Sequence, residues 1–524
     1  MSDHRKDITR FIAVFAGGTM LSRVTGLVRD IVLATFVQSQ ALGTFLFAFK
    51  ITNMLRDMLG EGATNAAMVP VLSEIKEKQT EPEYRAAVAS VLGAMFLIFS
   101  ALTIVGVLLM PFVPGALDRL SPFTGEKLPQ SPDELARLVR ILQWTFPYFL
   151  LIGLTTFAMG PLFVARRYGT ASWSPLLLNV ALAASVVMTG WFDDPAWALV
   201  VGAWVGGLAQ LLVLFWDMRR RTGVLWPRFN LRHAANAKVF LLLLPVVVGQ
   251  ATGEVNKLID AFFAMSLGED KVTALYYSQR LIQLPLSIFG IAVSVAILPT
   301  ISRAAARGEY DSIRDTLKQG FRQSFFLVIP SLVGLIILRE PLVRFLFQHG
   351  KFTPQDAVQT AAAVYYAALG LLSFSWVKIS VQGFYAVQNT VTPVIVATVS
   401  MALNIVFILL LIRPMGYLGL ALATSLSYTV NFAVLFILLS RRYGRLWDGA
   451  LLLSLSKMML SALLMGALAL ESFQVLHSLL GAQSLLKQAV AVGASLTVAV
   501  IAYGGGCYVL KVPEFSQTLR ILRR

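Results

Sequence analysis

The chain has 524 residues, of which 57% are hydrophobic and only 14% are charged, and its mean hydropathy is +0.71. Soluble proteins have about 45–50% apolar and about 25% charged residues. The composition therefore predicts a polytopic membrane protein and excludes a soluble enzyme, a disordered chain and a secreted disulfide scaffold. Cys507 is the one cysteine, and the four histidines are far apart in sequence, so we expect no metal site.

The apolar segments are long enough to cross a bilayer, which needs roughly 20 residues per helix. Short loops join fourteen such segments, which predicts an all-α polytopic fold with fourteen transmembrane helices. In chain order they cover residues 8–37, 41–75, 84–113, 137–165, 172–192, 196–218, 238–267, 271–301, 313–338, 354–387, 391–413, 417–440, 448–472 and 486–510.

The basic residues explain the net charge of +16 by their distribution between the loops. Fourteen spans place both termini on one side of the membrane, and that side carries twenty-six Lys and Arg residues against nine on the other. Because Lys and Arg concentrate in cytoplasmic loops, we predict that both termini are cytoplasmic. The basic excess then requires no nucleic-acid partner.

Charged residues also lie inside the predicted spans, where each costs at least a few kcal/mol. The cations are Arg23, Arg29, Lys50, Arg56, Lys257, Arg280 and Lys378. The acids are Asp30, Asp57, Glu61, Glu254 and Asp260. Since the cations outnumber the acids, an anionic ligand would supply the missing counter-charge. The alternative is a set of buried ion pairs that lock helices together, for which adjacent Arg56 and Asp57 are candidates.

Helical geometry places these charges on polar stripes. At 100° per residue, Lys50, Asp57 and Glu61 share one face of the second helix, with Asn53 beside it. Tyr276, Arg280 and Gln283 share one face of the eighth helix.

The same two helices are interrupted by residues that weaken the helical backbone. Gly60 and Gly62 flank Glu61, and Pro285 lies within the eighth span. Gly and Pro are tolerated in membrane helices where neighbours or a cavity satisfy the freed backbone groups. Bending helices beside buried charge favour alternating access; close helix packing through small residues is the alternative.

The two halves of the chain resemble each other. Residues 67–73 (Ala-Met-Val-Pro-Val-Leu-Ser) end the second helix, and residues 296–302 (Ala-Ile-Leu-Pro-Thr-Ile-Ser) end the eighth, 229 positions later. Six spans per repeat preserve orientation, so we predict parallel repeats. The resulting domains are six-helix lobes over 1–222 and 223–445, followed by two helices and a cytoplasmic tail over 446–524.

Short motifs follow one another in order along nearly the whole chain. They cover residues 22–30, 48–50, 53–56, 61–63, 68–70, 276–281, 298–299, 347–353 and 383–385. In this order and spacing they resemble the MurJ/MviN family, the lipid II flippases of the multidrug/oligosaccharidyl-lipid/polysaccharide transporter (MOP) superfamily. Three positions depart from the family pattern, because Gly43, Gln279 and Gln283 stand where the family usually has acids.

The resemblance implies a flippase that moves lipid II, the undecaprenyl-diphosphate-linked peptidoglycan precursor, from the inner to the outer leaflet of the bacterial cytoplasmic membrane. It also implies that Arg23, Arg29, Arg56 and Arg280 line the central cavity. Diphosphate suits guanidinium groups in a site of low dielectric constant. We assign substrate binding to Arg23, Arg29, Lys50, Asn53, Arg56 and Arg280. Cavity or gating roles are assigned to Asp30, Asp57, Glu61, Glu254, Lys257, Asp260, Tyr276, Gln283 and Lys378.

Other functions remain as alternatives. A polysaccharide-precursor flippase and a MATE-like cation or drug antiporter would use the same fold, although an exporter of cations should line its cavity with acids. A non-transporting scaffold would need no polar stripes, and no catalytic motif indicates an enzyme. We expect a monomer among membrane lipids, without a cofactor. The sequence leaves open whether a coupling ion or the membrane potential supplies the energy.

Overall fold

A computed structural model describes residues 21–59, 61–125, 131–224, 226–481 and 484–516. Every regular element within these ranges is helical, in agreement with the predicted all-α fold. The predicted first span begins at residue 8 and the cytoplasmic tail continues to residue 524, so both lie partly outside the described residues.

The chain divides into two compact units, of which the first contains residues 1–273 with 350–352. Its described helices are α1 (21–36), α2 (Ser39–Leu59), α3 (Glu61–Lys78), α4 (Glu81–Leu109), α5 (Val113–Asp118), α6 (Ser121–Thr124), α7 (Pro132–Thr145), α8 (Tyr148–Val164), α9 (Gly169–Ser185), α10 (Ala196–Thr222) and α11 (Ala234–Leu267). Helix α10 packs on α8 and α9, and α11 packs on α2 and α3. Tyr148, Phe99, Phe149 and Phe157 are fully buried between these helices.

The second unit contains residues 274–349 and 353–524. Its helices are α12 (Glu269–Pro285, which begins in the first unit), α13 (Ile291–Ala306), α14 (Tyr310–Ile337), α15 (Arg339–Phe347), α16 (Pro354–Ala368), α17 (Leu371–Tyr385), α18 (Val391–Met415), α19 (Tyr417–Tyr443), α20 (Gly449–Leu480) and α21 (Leu485–Val509). Helices α20 and α21 pack against each other, and α14 packs on α20. Phe321, Phe325 and Trp376 form the aromatic centre of this unit.

The predicted interruption of the eighth span is present in the structure. The one predicted at Gly60 in the second span lies outside the described residues, between α2, which is described to Leu59, and α3, which is described from Glu61. Between α12 and α13 the backbone forms a π-helical turn over Leu286–Gly290, directly after Pro285. Proline has no N–H to donate to the preceding turn, and a single π turn is a common way to absorb such a break.

Ten described helical segments are long and apolar enough to cross a membrane, or eleven when the bent pair α16 and α17 counts as one span. The chain is therefore a multi-span membrane protein. The count of fourteen stays a prediction, because α1 is described only from residue 21 and α2 carries Lys50, Arg56 and Asp57. The lobe boundaries at residues 222 and 445 also stay predictions. The compact units are defined by contacts in space and the lobes by repeats in sequence, so one division does not test the other.

Candidate functional site

Arg29 is the most deeply buried of the cations assigned to substrate binding, with 6% of its surface exposed. Its Nε and Nη2 donate to Oδ1 of Asp30 at 2.9 and 2.5 Å. Its Nη1 donates to Oδ1 of Asn179 on α9 at 2.9 Å. The Asn179 amide in turn donates to the Ser22 carbonyl and the Thr25 hydroxyl of α1. Arg29 therefore takes part in fixing α1 against α9.

Arg56 and Asp57 form an ion pair at the end of α2. The Arg56 Nη2 lies 2.7 Å from Oδ1 of Asp57, and the two side chains are 38% and 39% exposed. One turn earlier, Asn53 donates its amide to the Phe49 carbonyl at 2.9 Å.

Lys50 lies on α2, and the charges that act on it come mainly from α11. Lys257, Asp260 and Glu254 are all within electrostatic range of Lys50, as is Asp57. On α11 itself Lys257 donates to Glu254 at 2.5 Å. The packing of α11 on α2 thus brings together five of the charged residues that were singled out from the sequence.

Arg23 is exposed on α1 and forms no ion pair within the described parts of the chain. Glu61, the acid expected on the same face as Lys50 and Asp57, begins α3, but its side chain lies outside what the structure describes.

Three of the five acids are paired with a cation of their own helix: Asp30 with Arg29, Asp57 with Arg56, and Glu254 with Lys257. Each of these three pairs lies within a single helix. The pairs neutralise charge locally, and the neutral amide of Asn179 makes the contact of Arg29 with α9.

In the second unit Arg280 binds a neutral partner. Its Nε and Nη2 donate to the Tyr276 hydroxyl at 3.1 and 2.6 Å, and its guanidinium carbon lies 4.9 Å from the Tyr276 ring centre. This contact confirms that the two residues share a face of α12. Gln283 on the same helix and Lys378 on α17 are both exposed.

Sequence reasoning missed a second cluster in the first unit. Arg137 on α7 donates to Asp194 at 2.6 Å and to Glu269 at 3.2 Å. Arg137 belongs to the nine cations on the side opposite the termini, and neither Arg137 nor Asn179 was among the predicted site residues. An amide inside an apolar span was a signal for Asn179, but the sequence could not supply its partner. Among the described residues no group of three or more His, Cys, Asp or Glu side chains is placed to hold a metal ion.

The model of the lipid II flippase MurJ family matches residues 32–491 of the chain. The chain belongs to this family. A relative from Haemophilus influenzae, a probable lipid II flippase MurJ, is 34% identical over 459 residues, which cover 86% of this chain and 89% of that protein.

Two solved structures share the fold of this chain. A lipid II flippase MurJ in an inward closed conformation superposes with a TM-score of 0.74 at 22% identity, covering 95% of this chain and 99% of that one. An inward-facing multidrug resistance MATE family transporter of the MOP superfamily superposes with a TM-score of 0.59 at 16% identity, covering 83% and 98%.

The structure gives a steric reason for one departure from the family motif. A Cβ atom added to Gly43 would collide with the backbone carbonyl of Glu269. Helix α2 therefore passes too close to the first residue of α12 to leave room for an acidic side chain. The other two departures, Gln279 and Gln283, are exposed on α12.

Proposed function

We propose that the chain moves lipid II from the inner to the outer leaflet of the bacterial cytoplasmic membrane by alternating access. Its membership of the lipid II flippase MurJ family supports this proposal. So does its similarity to a relative named a probable lipid II flippase MurJ, of which the match covers 89%. The substrate is amphipathic, so only its diphosphate and sugar-peptide head group must pass the polar interior while the polyprenyl tail stays in lipid.

The observation that carries the proposal is which of the charged residues within the predicted spans form ion pairs. The three ion pairs account for Asp30, Asp57 and Glu254. Arg23 is exposed and forms no ion pair with any described residue. A guanidinium can offer parallel N–H donors to diphosphate oxygens, a geometry that Lys does not provide.

The same charges argue against a transporter of organic cations. Such a protein needs carboxylates that are free to bind its substrate, whereas Asp30, Asp57 and Glu254 already have partners on their own helices. The likeness to a MATE transporter concerns the fold alone. A polysaccharide precursor linked to the same diphosphate lipid would meet the same arginines, so the assay must identify the lipid itself.

We also propose a topology and an energy source. Both termini lie in the cytoplasm, which the distribution of Lys and Arg supports, and the protein acts as a monomer without a cofactor. The membrane potential does work of about 2.3 kcal/mol per 100 mV on each charge that moves across it. We propose that the membrane potential returns the arginine-lined cavity to its starting conformation once the anionic head group has left. Transport by reconstituted protein with and without an imposed potential tests this step.

The deciding experiment is depletion of the protein in its own cells, followed by measurement of lipid II in each leaflet. We expect lipid II to accumulate in the inner leaflet and to return to the outer leaflet when the wild-type gene is restored. A normal distribution in depleted cells, or accumulation of a different diphosphate lipid, would overturn the proposal.

A further inference from the structure

The sixth span of each predicted repeat ends in the same short motif. Residues 220–226 read Arg-Arg-Thr-Gly-Val-Leu-Trp, and residues 441–447 read Arg-Arg-Tyr-Gly-Arg-Leu-Trp, 221 positions later. Gly223 and Gly444 follow their helices with positive φ angles of +67° and +87°, which glycine adopts without strain. Their ψ angles differ, at 7° and −177°, so the chain leaves the two helices in different directions.

In the first copy the two arginines are occupied. The guanidinium of Arg220 lies 3.7 Å from the centre of the Trp216 ring. Arg221 lies 3.6 Å from Asp217, one turn back on α10. Trp226 is 76% exposed. This copy is a helix end whose charges are already matched by their own helix.

The second copy lines a pocket. A cavity of about 400 Å³ is lined by Phe436, Ile437, Ser440, Arg441, Arg445, Leu446 and Trp447. Trp447 forms one wall, because its ring packs edge-on against Phe436 at 5.4 Å and against Trp376 at 6.3 Å. Leu446 is 1% exposed and closes the floor.

The polar side chains that line this pocket are Ser440, Arg441 and Arg445. Arg441 and Arg445 are both exposed and make no ion pair with any described residue. Arg445 stands where the first copy has Val224, so the second copy holds an additional cation. The Ser440 hydroxyl is buried without a hydrogen-bond partner among the described residues. The nearby Asp448 does not neutralise the arginines, because it binds Lys318 at 2.8 Å and the Leu451 amide at 2.7 Å.

We propose that this pocket binds the head group of an anionic phospholipid from the leaflet on the predicted cytoplasmic side. The two guanidiniums match a phosphodiester in charge, and the Ser440 hydroxyl supplies a third donor. The aromatic and aliphatic walls suit the glycerol and the first carbons of an acyl chain. Basic pockets between membrane helices on the cytoplasmic side are typical sites for anionic lipid head groups. None of the lining residues is one of the intramembrane charges, and this inference does not depend on the proposed transport.

The test is a titration of the full-length protein with phosphatidylglycerol, in which native mass spectrometry counts bound lipids. We expect wild-type protein to bind phosphatidylglycerol more tightly than phosphatidylcholine. The double variant Arg441→Gln/Arg445→Gln should bind phosphatidylglycerol roughly tenfold more weakly or worse, with phosphatidylcholine unaffected. The control Arg228→Gln/Arg232→Gln removes the same charge from another exposed basic stretch and should bind like wild type.

A second pair of variants separates the cavity from the charge. Ser440→Phe fills the pocket and keeps both arginines, and it should abolish tight binding, whereas Ser440→Ala should weaken it only slightly. Thermal unfolding shows whether Ser440→Phe is folded; if it is not, the arginine variant decides. Equal loss in both arginine variants would reveal diffuse charge attraction and overturn the site. So would wild-type binding by folded Ser440→Phe, or displacement of the lipid by an equal concentration of glycerol phosphate.

Discussion

Arg29 of α1 donates a hydrogen bond of 2.9 Å to Asn179 of α9, a residue 150 positions further along the chain. Because both side chains are buried, breaking this hydrogen bond should destabilise the protein. It should also alter the surroundings of a charged residue of the site. Arg29 and Arg23, six residues apart on one helix, therefore call for different experiments.

We predict that Asn179→Ala destabilises the protein by about 1–3 kcal/mol, because it leaves a buried guanidinium donor without its partner. Thermal unfolding of purified protein in detergent measures the effect. Transport should fall in proportion to the folded protein in the membrane. An unchanged unfolding temperature would show that the amide contact contributes nothing to the fixation of α1.

Arg23→Ala should have the opposite profile. Arg23 is exposed and without an ion pair in the described chain, so we expect normal insertion and stability together with loss of lipid II transport. Accessibility of lipid II to a probe added outside the cell measures transport. Lys457→Ala removes a cation near the start of α20, outside the predicted site residues, so it serves as the control and should be nearly silent. Transport at the wild-type level in both Arg23→Ala and Arg280→Ala would refute the role of the intramembrane arginines.

Tyr276 should act as a positioning residue for Arg280. Its hydroxyl accepts two hydrogen bonds from the guanidinium, whereas its ring keeps a separate contact at 4.9 Å. Tyr276→Phe removes the former and retains the latter, so we expect a partial loss of transport that is smaller than the loss in Arg280→Ala. The same leaflet assay applies. If Tyr276→Phe transports normally, the hydrogen bonds do not position Arg280.

Gly43→Ala should be destabilising, since the added methyl group collides with the Glu269 backbone. Overpacking of this kind costs about 1–3 kcal/mol. The matched control is Gly493→Ala on α21, where an added Cβ meets no atom within 4 Å. Thermal unfolding should separate the two variants clearly. Equal stability would mean that α2 and the start of α12 can move apart at little cost.

Asp448 gives a prediction for acid pH. The hydrogen bond from Lys318, and then that from the Leu451 amide, lower the pKa of Asp448 below its ordinary value. Because the pKa is lower in the folded state, the carboxylate stabilises the fold at neutral pH and loses this effect as the pH falls through that lowered pKa. The stability difference between wild type and Asp448→Asn should therefore shrink on acidification. The contribution is small because the side chain is 45% exposed. A stability difference between wild type and Asp448→Asn that stays constant with pH would contradict this prediction.

Much of this molecule follows from the sequence because the relevant physics is local. Long apolar runs predict spans, and Pro285 predicts the break that the structure shows as a π turn. Helical periodicity places Tyr276 and Arg280 on one face, and adjacency pairs Arg56 with Asp57. None of these conclusions requires knowledge of which helices are neighbours.

Tertiary structure decided everything that depends on neighbours. The contact of Arg29 with Asn179, the bridge from Arg137 to Glu269, and the approach of Gly43 to the Glu269 backbone each join segments far apart in the chain. Apolar helices pack in many registers of similar energy in lipid, because burial from water does not choose among them. Close packing at small residues and buried hydrogen bonds makes that choice. The sequence by itself thus determined that positive charge lies within the membrane, and the packing of the helices determined which of those charges remain available to a ligand.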